Sequence, residues 1–443
     1  DEVGLDRRVV GFAIGTSVLT AVLFGAAPAL VGRTIDLGAA LRDSMRDSTR
    51  GHNRLRRGLV VAEVALTVVL LAGAGLLTRS MRNLLETDTG MRAERVLTLR
   101  LSLVGSAYRE QDDLRGFVDR LLPRLGSLPG ASAVGAIGWL PMSGSKSSTG
   151  YTVVGRPAPA PGEEPVADIR IIAGDYHHAM GIPLLRGRTF DARDHEDAPR
   201  AYVINEALAK EQFPGEDPIG RRLSIPWDEV LEGEIIGVVG NVRESGLDQE
   251  PAPAIYWAYA QMPFPLLNVV IRTAGDPTTL AGAAAAAVHA IDPDQPVAEV
   301  RTMEQVVRST VARPRFNLAL LGGFAGASLL LAALGLFGVV SHSVAQREQE
   351  IGVRIALGAT TGDVLRMIVR EGMALTLAGV GIGIIAAVAS TRLLATLLYG
   401  VSPTDPLTLT GVSVFLATVA LVASYLPAYR AARLDPTVTL RAE

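Results

Sequence analysis

The 443-residue chain contains no cysteine and only two lysines, Lys146 and Lys210, so arginine supplies nearly all of its positive charge. Without cysteine there is no disulfide, no zinc–thiolate site and no cysteine nucleophile. The formal net charge of −3 gives no general attraction to nucleic acid, so we expect no nucleic-acid partner. These absences leave the distribution of apolar and arginine residues as the main source of information.

Two sequence motifs of enzymes are also missing. The chain has no G-x-x-x-x-G-K-[ST] loop, which cradles nucleotide phosphates, and no G-x-S-x-G nucleophile motif. We therefore expect that the chain is not an enzyme and needs no cofactor. If ATP is used, a separate protein must supply the ATP-binding site.

Two polar clusters are candidate sites of chemistry. A group of histidine and carboxylate residues could bind a metal: His177, His178, Asp191, Asp194, His195, Glu196 and Asp197. No ligand spacing recurs in it, and a solvated polar loop around a helix end is favoured. A serine-rich segment suggests a Ser–Lys nucleophile: Ser143, Ser145, Lys146, Ser147 and Ser148. A flexible loop is favoured there too, so we expect no catalytic and no metal-binding residues.

Five apolar stretches are long enough to cross a lipid bilayer, since a helix needs roughly 20 apolar residues to span about 30 Å of hydrocarbon. They are Val9–Leu30, Gly58–Thr78, Leu318–Ser341, Met373–Leu397 and Leu407–Leu426. A single such run fits a buried core helix, but five of them predict an integral membrane protein. The mean hydropathy of +0.30 suits a mixture of spans and a water-soluble domain.

Arginine in the connecting segments predicts the orientation of the spans, because cytoplasmic loops carry an excess of positive charge. Val31–Arg57 carries seven arginines and His342–Gly372 carries four, whereas the short connector Tyr399–Pro406 carries none. The basic segments, with the C-terminal tail, are therefore predicted to be cytoplasmic. The connector and the long segment between roughly Arg79 and Asn317 are predicted to lie outside.

The first and last spans match each other without a gap at an offset of 399 residues. Pro28 falls on Pro427, and the matched pairs at this offset also include Asp6 with Asp405, Asp36 with Asp435, Leu41 with Leu440, and Arg42 with Arg441. Five matches in one ordered pattern indicate a duplication. We infer that Val9–Leu30 is the final span of a preceding copy, that a second copy begins near Arg54, and that the chain belongs to a longer two-copy protein.

The segment from Arg79 to Asn317 alternates strand and helix patterns. A β-α-β order occurs twice, as Val96–Leu103, Asp112–Leu125 and Ala133–Trp139, and again as Asn268–Thr273, Thr278–Ala290 and Val297–Arg301. This order predicts an α+β domain made of two similar halves. Between them lies a more strand-rich region, with strands at Ala201–Asn205, Arg222–Ile225 and Glu234–Val239, a helix at Glu206–Phe213 and a loop at Pro157–Pro165.

The basic loop His342–Gly372 has a helix–glycine–helix pattern. Val344–Leu357 contains good helix formers, and Gly358 is expected to end that helix as a left-handed C′ glycine. Thr360 or Thr361 then caps a new helix, with Asp363 in its first turn. One face of this helix is apolar: Val364, Leu365, Ile368 and Val369. The pattern predicts a short helix at the inner membrane surface, followed by a helix that rises into the next span.

Glu63 lies about one and a half turns inside the span Gly58–Thr78. Because a carboxylate in apolar surroundings costs roughly 2–3 kcal/mol or more, such residues usually face a partner. We predict a partner among Arg347, Arg354 and Arg366. The alternative is that the side chain snorkels to the inner interface.

Two glycine pairs could let helix backbones approach closely. They are Gly322-x-x-x-Gly326 and Gly379-x-x-x-Gly383. The alternative is that glycine is simply common in membrane helices, and the sequence favours neither interpretation.

Three longer motifs resemble a known family. They are Glu350-Ile-Gly-Val-Arg-Ile-Ala-Leu-Gly-Ala359 after a span, Asn205-Glu-Ala-Leu-Ala-Lys210 with Phe213-Pro-Gly-Glu-Asp-Pro-Ile-Gly-Arg221 in the outer segment, and Leu426-Pro-Ala-Tyr-Arg-Ala-Ala-Arg-Leu-Asp-Pro436 at the end of the last span. Together they are similar to MacB/FtsX-like ABC transporter permeases, and closely to the branch with duplicated permeases. The resemblance implies a membrane α-helical fold, with a four-span permease, one extra N-terminal span and a large α+β extracytoplasmic domain.

The resemblance also implies a domain division. Residues 1–53 would be the final span and cytoplasmic tail of a preceding permease copy, and 54–79 the first transmembrane helix of this copy. Residues 80–313 would form a MacB-like periplasmic core domain. Residues 314–443 would form an FtsX-like three-span permease domain with a cytoplasmic coupling loop at 342–372.

By this resemblance the protein is a multi-pass permease subunit of the inner (plasma) membrane. It would pair with a second permease copy, in the same polypeptide or as a homodimer, over a cytoplasmic ABC ATPase, and a periplasmic adaptor could join it. The ATPase cycle would drive periplasmic conformational change and substrate export. The expected coupling residues are Glu350, Gly352, Arg354 and Gly358, and Glu63 is the intramembrane charge.

Three alternatives remain open at this point. The first is an FtsX-like regulator of periplasmic cell-wall hydrolases, and the second is LolC/LolE-like lipoprotein release. The third is an enzyme with an extracytoplasmic site, against which the lack of a catalytic constellation weighs. A fused N-terminal ATPase, as in MacB, is not found in this sequence.

Overall fold

A computed structural model describes residues 11, 14, 15, 17, 18, 45–157, 159–160, 162–227, 229–391, 398–402 and 404–432. Apart from five scattered positions, the expected span Val9–Leu30 lies outside the described residues, as do Asp435 and Arg441 of the tail. The preceding copy and the matched tail therefore remain predictions. The chain divides into a helical unit (Asp1–Gly75, Gly322–Leu393 and Thr404–Glu443) and a mixed unit (Leu76–Leu321 and Leu394–Pro403).

The described part of the chain contains ten α-helices. They are α1 (Met45–Leu85), α2 (Gln111–Gly126), α3 (Tyr176–Met180), α4 (Glu206–Gln212), α5 (Ala281–His289), α6 (Met303–Thr310), α7 (Ala312–Gln346), α8 (Glu348–Ala356), α9 (Thr361–Thr391) and α10 (Pro406–Ala431). A 3₁₀ turn at Pro277–Leu280 precedes α5.

Four of these helices are long and apolar enough to cross a membrane: Arg54–Leu85 of α1, Pro314–Gln346 in α7, Thr361–Ser390 in α9, and Pro406–Ala431, which is α10. They confirm four of the five predicted spans. Between 17% and 44% of the apolar window of each is buried within the chain. Most of their apolar surface is thus left for lipid or for partner helices.

One of the two glycine pairs brings helices together inside the helical unit. A Cβ atom on Gly379 of α9 would lie 2.7 Å from Cβ of Val64 in α1, and one on Gly383 would lie 2.6 Å from Cβ of Val68. Since real Cβ atoms do not approach so closely, only glycine fits at both positions. No described atom lies within 4 Å of a Cβ built on Gly322 or Gly326 of α7, so that pair faces open space.

The mixed unit is built on a twelve-stranded sheet. Its strands are β1 (Val96–Ser102), β2 (Ala131–Ile137), β3 (Ser148–Gly150), β4 (Thr152–Val153), β5 (Val166–Gly174), β6 (Leu184–Gly187), β7 (Ala201–Asn205), β8 (Arg222–Pro226), β9 (Val230–Val239), β10 (Ala254–Ala258), β11 (Leu266–Thr273) and β12 (Val297–Thr302). The order across the sheet is β12-β1-β11-β2-β5-β10-β7-β9-β8-β4, with β3 beside β5 and β6 beside β9.

The two predicted β-α-β units interlock at one end of this sheet. Strand β11 lies antiparallel between β1 and β2, and β12 lies antiparallel on the outer side of β1. This is the split β-α-β arrangement of ferredoxin-like folds. The strand-rich region, residues 138–265, is an insertion between β2 and β11. The prediction of two similar halves is confirmed as two β-α-β units, but they share one sheet.

Both faces of the sheet are covered. On one face, Phe117 and Leu121 of α2 and Ala284 of α5 are buried in the main apolar core. On the other face, Tyr176 of α3 and Met303 of α6 are buried in a second core. Strands of the sheet are buried on both sides for this reason, and several read as continuous apolar runs.

Candidate functional site

The loop between α7 and α9 contains the predicted coupling residues Glu350, Gly352, Arg354 and Gly358. The expected single helix Val344–Leu357 is wrong, because α7 continues to Gln346 and the chain leaves helical geometry at Arg347, where φ is −115° and ψ is 16°. The separate helix α8 follows and contains the first three of these residues. The loop is therefore a helix–turn–helix–glycine–helix segment.

Helix α8 is fixed to the helical unit by its inner face. Ile351 is 1% exposed and Gly352 is also buried. Ile351 belongs to the same apolar cluster as Val344 of α7 and as Val364 and Ile368 of α9. The predicted apolar face of α9 is thus confirmed, and α8 packs against it.

The end of α8 matches the sequence prediction. Gly358 has a φ of +99°, and the backbone N–H of Ala359 donates to the carbonyl of Arg354 at 2.9 Å. The hydroxyl of Thr360 accepts from the backbone N–H of Asp363 at 3.3 Å, and the Asp363 carboxylate accepts from the backbone N–H of Thr360 at 3.0 Å. A glycine stop followed by a threonine cap therefore fixes the angle between α8 and α9.

Glu371 of α9 connects three helices at this end of the helical unit. Its carboxylate accepts from the Arg57 guanidinium of α1, from Arg347 at 3.3 Å, and from the Ser343 hydroxyl of α7 at 3.4 Å. Sequence reasoning missed this carboxylate. The available signal was its position, directly after Arg370 and two residues before the apolar stretch that starts at Met373.

The predicted arginine partner of Glu63 is not found in the described part of the chain. Arg347 pairs with Glu371, and Arg354 pairs with Glu350 at 2.6 Å. Glu63 instead lies against α7, where its Oε2 atom is 2.6 Å from the position of a Cβ on Gly335. The prediction of an arginine partner is therefore wrong for Arg347 and Arg354, because each has a carboxylate partner within the loop His342–Gly372 itself.

The outer face of α8 carries charge and apolar surface together. The guanidinium of Arg354 contacts Glu350 and lies 2.8 Å from Sδ of Met367. Val353 is 45% exposed, and Leu357, the residue directly after α8 and four positions along the chain from Val353, is 83% exposed. An exposed apolar pair beside an ion pair suits a protein-binding surface.

The structure shows the surroundings of the two polar clusters predicted in the mixed unit. No group of three or more His, Asp or Glu residues is placed to hold a metal within the described ranges. The solvated-loop interpretation is nevertheless wrong for two members. Asp194 is buried, where Arg188 donates to it at 2.6 and 2.9 Å. His177 is buried too, with its ring centroid 4.7 Å from that of Tyr256, and burial lowers its pKa to about 3.

A charged network lies inside the mixed unit. Arg170 of β5 is 1% exposed, with its guanidinium 3.1 Å from Asp168 and 3.2 Å from Glu244. Ser148 of the serine-rich segment donates to Asp168 at 2.6 Å, so this serine has a structural partner. Burial raises the pKa of Glu244, and the Arg170 guanidinium opposes that rise.

Four helices long and apolar enough to cross a membrane, joined to a large mixed α/β unit, are the architecture of a membrane protein with an extracytoplasmic domain. Residues 58–294 match the model of the MacB-like periplasmic core domain, and residues 322–436 match that of the FtsX-like permease C-terminal domain. The chain therefore belongs to the MacB/FtsX-like ABC transporter permeases, as the sequence motifs predicted.

Named relatives agree with this assignment. The chain is 28% identical over 288 residues to the uncharacterized ABC transporter permease YknZ of Bacillus subtilis (strain 168), covering 63% of this chain and 71% of YknZ. It is 31% identical over 290 residues to the macrolide export ATP-binding/permease protein MacB of Rhodospirillum rubrum, covering 60% of this chain and 42% of that protein. The chain thus spans less than half the length of this MacB relative.

Among solved structures, the periplasmic region of MacB from Actinobacillus actinomycetemcomitans is similar, with 14% identity and a TM-score of 0.35. That match covers 51% of this chain and 97% of the MacB region. Family membership rests on the sequence matches.

Proposed function

We propose that this permease couples a cytoplasmic ABC ATPase to a conformational change of its extracytoplasmic domain, and that this change exports a substrate. In this proposal residues 80–313 form the periplasmic domain and residues 314–443 the three-span domain, in the inner membrane. The observation that carries the proposal is the fixed position of α8, which has one buried face and one exposed face.

A helix that transmits force must be held firmly by the element that it moves. The inner face of α8 is held by Ile351 and Gly352, and its ends are set by the turn at Arg347 and by Gly358. Arg347 is in turn paired with Glu371, which also binds Arg57 of α1. A push on α8 therefore reaches α1, α7 and α9 together, because interfaces packed in this way move as rigid bodies.

The exposed face of α8 is the proposed contact with the ATPase. Val353 and Leu357 offer apolar surface, and Arg354 offers a planar donor. Its present pair with Glu350 is about half exposed, and such i,i+4 pairs contribute only about 0.3–0.5 kcal/mol. Arg354 can therefore exchange this partner for an acidic side chain of the ATPase at little cost. The absence of a phosphate-binding loop from the chain supports a separate ATPase subunit.

A second permease copy completes the proposed assembly, in the same polypeptide or as a homodimer. The open face of α7 at Gly322 and Gly326 supports a close helix contact with it, since small residues favour such contacts in membranes. An adaptor outside the membrane is compatible with the proposal but is not required by it.

The experiment compares variants of the exposed face of α8 in co-purification with the cognate ATPase and in ATPase assays after reconstitution. Leu357→Ser and Arg354→Glu should weaken association or stimulation, because both change the exposed face. Val230→Ser is the matched control, since Val230 is 68% exposed in the mixed unit. If Leu357→Ser and Arg354→Glu both bind and stimulate as the parent does, α8 is not the coupling element.

Substitutions at Gly358 test separately whether coupling needs a rigid angle between α8 and α9. Gly358 has a left-handed backbone conformation, which costs a β-branched residue about 1–2 kcal/mol. Asparagine adopts this conformation more readily. No described atom lies within 4 Å of a Cβ at this position, so the strain is in the backbone alone. Gly358→Val should leave insertion intact and impair stimulation, and Gly358→Asn should retain it. Equal stimulation by both variants argues against a rigid angle.

A further inference from the structure

A cavity of about 540 Å³ lies in the mixed unit, at the end from which α1 and α7 depart. Its walls come from the last turns of α1, the end of α6, the short connector at 398–399 and two loops, 142–144 and 245–248. The volume falls within the range of roughly 300–1,000 Å³ that is usual for small-molecule pockets. Nothing in the coupling mechanism proposed above uses this cavity.

The wall on α1 is apolar. Leu77, Met81 and Leu84 follow one another at helical spacing, so their side chains share one face. Seven residues of helix make this wall roughly 10 Å long. The opposite wall is polar and includes Ser143, Ser245 and Asp248. A ligand that satisfies both walls must have an apolar chain and a polar head.

The polar wall is held in place by interactions outside the cavity. The backbone N–H of Met142 donates to the carbonyl of Glu244 at 2.7 Å, which joins the two loops. Glu244 is itself paired with the buried Arg170. Arg243 donates to the carbonyls of Leu247 and Gln249, so the loop that carries Asp248 is braced by a guanidinium. The cavity is therefore preformed.

The position of the cavity along the chain places it at the outer membrane interface. Leu77 lies one residue before the end of the sequence-defined span, and the apolar wall continues for two further turns of the same helix. Pro314, the first residue of the next candidate span, lines the cavity, and so does Tyr399, whose backbone N–H donates to Ser80 at 2.8 Å. Headgroups and acyl chains of the outer leaflet meet at this level.

Asp248 gives the polar wall its charge. In the part of the chain that the structure describes, the Asp248 carboxylate makes no ion pair, and the nearby Arg243 uses its donors on backbone carbonyls. Charge complementarity therefore favours a cationic head over an anionic one.

We propose that this cavity binds a cationic amphiphile, an apolar chain with an amine head, taken from the outer leaflet of the bilayer. The chain lies along Leu77, Met81 and Leu84, and the amine faces Asp248. This amphiphile would be the exported substrate, so the assignment rests on the proposed function. Binding itself needs no ATPase, and it is measured on the permease alone, so that failure of the two proposals can be distinguished.

The test uses the absence of cysteine from the chain. A Ser245→Cys variant in lipid nanodiscs is labelled with a water-soluble maleimide, with and without dodecylamine. Occupancy slows labelling by the factor 1 + [L]/Kd, so amine at about nine times its Kd should slow it roughly tenfold. Dodecyl sulfate should protect much less. A Ser143→Cys variant is the second reporter if the first does not fold.

Two controls make the test specific. The Ser127→Cys variant reports on an exposed residue outside the cavity, and its labelling should not respond to dodecylamine. Asp248→Asn in the reporter background should reduce protection by dodecylamine to the level of dodecanol. The proposal is overturned if dodecylamine does not protect the cavity reporters, or if it protects the Ser127→Cys variant equally. Protection unaffected by Asp248→Asn overturns the cationic preference.

Discussion

Arg170 and Glu244 form an ion pair inside the extracytoplasmic domain, with Nε of Arg170 3.2 Å from Oε1 of Glu244. Their side chains are 1% and 6% exposed. The pair joins strand β5 to the loop that forms the polar wall of the cavity. Since Asp168 also contacts the guanidinium, removing the cation leaves two carboxylates buried together.

Arg170→Met should therefore lower the free energy of unfolding by about 3–5 kcal/mol, as expected when a buried pair loses one partner. Glu244→Gln should cost less, because it keeps a hydrogen-bonding group and removes one of the two negative charges. Thermal unfolding of the full chain in detergent measures both. An Arg170→Met variant as stable as the parent contradicts the prediction.

The pH dependence of this pair has a definite sign. Burial raises the pKa of Glu244, so the folded protein holds this proton more tightly than the unfolded chain does. Glu244 therefore contributes to the free energy of unfolding at pH values below its raised pKa, and this contribution is lost as the pH increases through that pKa. Glu244→Gln should remove this part of the pH profile, and an unchanged profile would falsify the assignment.

His177 should act in the opposite direction. Burial lowers its pKa from 6.5 to about 3, and the ring packs between Tyr176 and Tyr256. As the pH decreases, His177 therefore becomes protonated in the unfolded chain before it does so in the folded protein. The free energy of unfolding falls as pH decreases below 6.5. The loss should reach about 2 kcal/mol at pH 5. Unfolding midpoints at pH 7.5 and pH 5 measure it, and a His177→Leu variant should show a correspondingly flatter profile between the two.

The two glycine pairs give matched variants in neighbouring helices. Gly383→Leu should destabilise the helical unit by about 1–3 kcal/mol, because its side chain must displace Val68 of α1. Gly326→Leu should leave the stability of the single chain unchanged, because no described atom lies near that position. Thermal unfolding in detergent separates them, and an equal loss in both variants contradicts the packing. A loss of dimer by Gly326→Leu alone supports the proposed second copy.

Topology can be checked with single cysteines in this cysteine-free chain. Lys146→Cys should be labelled by an impermeant reagent from outside intact cells, and Glu350→Cys should be labelled only after permeabilisation. The reason is the concentration of arginine in the segments predicted to be cytoplasmic. Labelling of the Glu350→Cys variant from outside reverses the orientation.

The sequence predicted those elements whose residues alternate or repeat regularly. Strand β7 has the predicted bounds Ala201–Asn205, and α2 extends one residue beyond its prediction at each end. Strand β5 was missed because Asp168 and Arg170 interrupt its apolar pattern. Charged residues ordinarily indicate exposure, but here they neutralise one another inside the sheet.

Local sequence patterns do not predict the long-range contacts that complete the candidate site. Gly358 and the Thr360 cap follow from backbone preferences of single residues, and both were predicted. The Arg57–Glu371 pair joins residues 314 positions apart, and no pattern within a helix specifies it. The sequence predicts an arginine partner for Glu63 because a buried charge needs one. Whether an arginine pairs with Glu63 or with Glu371 depends on where each helix ends, which no local pattern specifies.

The interlocking of the two β-α-β units sets an order for folding. Strand β1 has two neighbours, and both come late in the chain: Val96 pairs with Arg272, and Leu97 pairs with Thr302. Until these residues have crossed the membrane, β1 exposes two unpaired edges, which are sites of aggregation. The closure of such long loops also slows folding. A fragment of the extracytoplasmic domain that ends before residue 302 should therefore misfold, however complete its N-terminal part is.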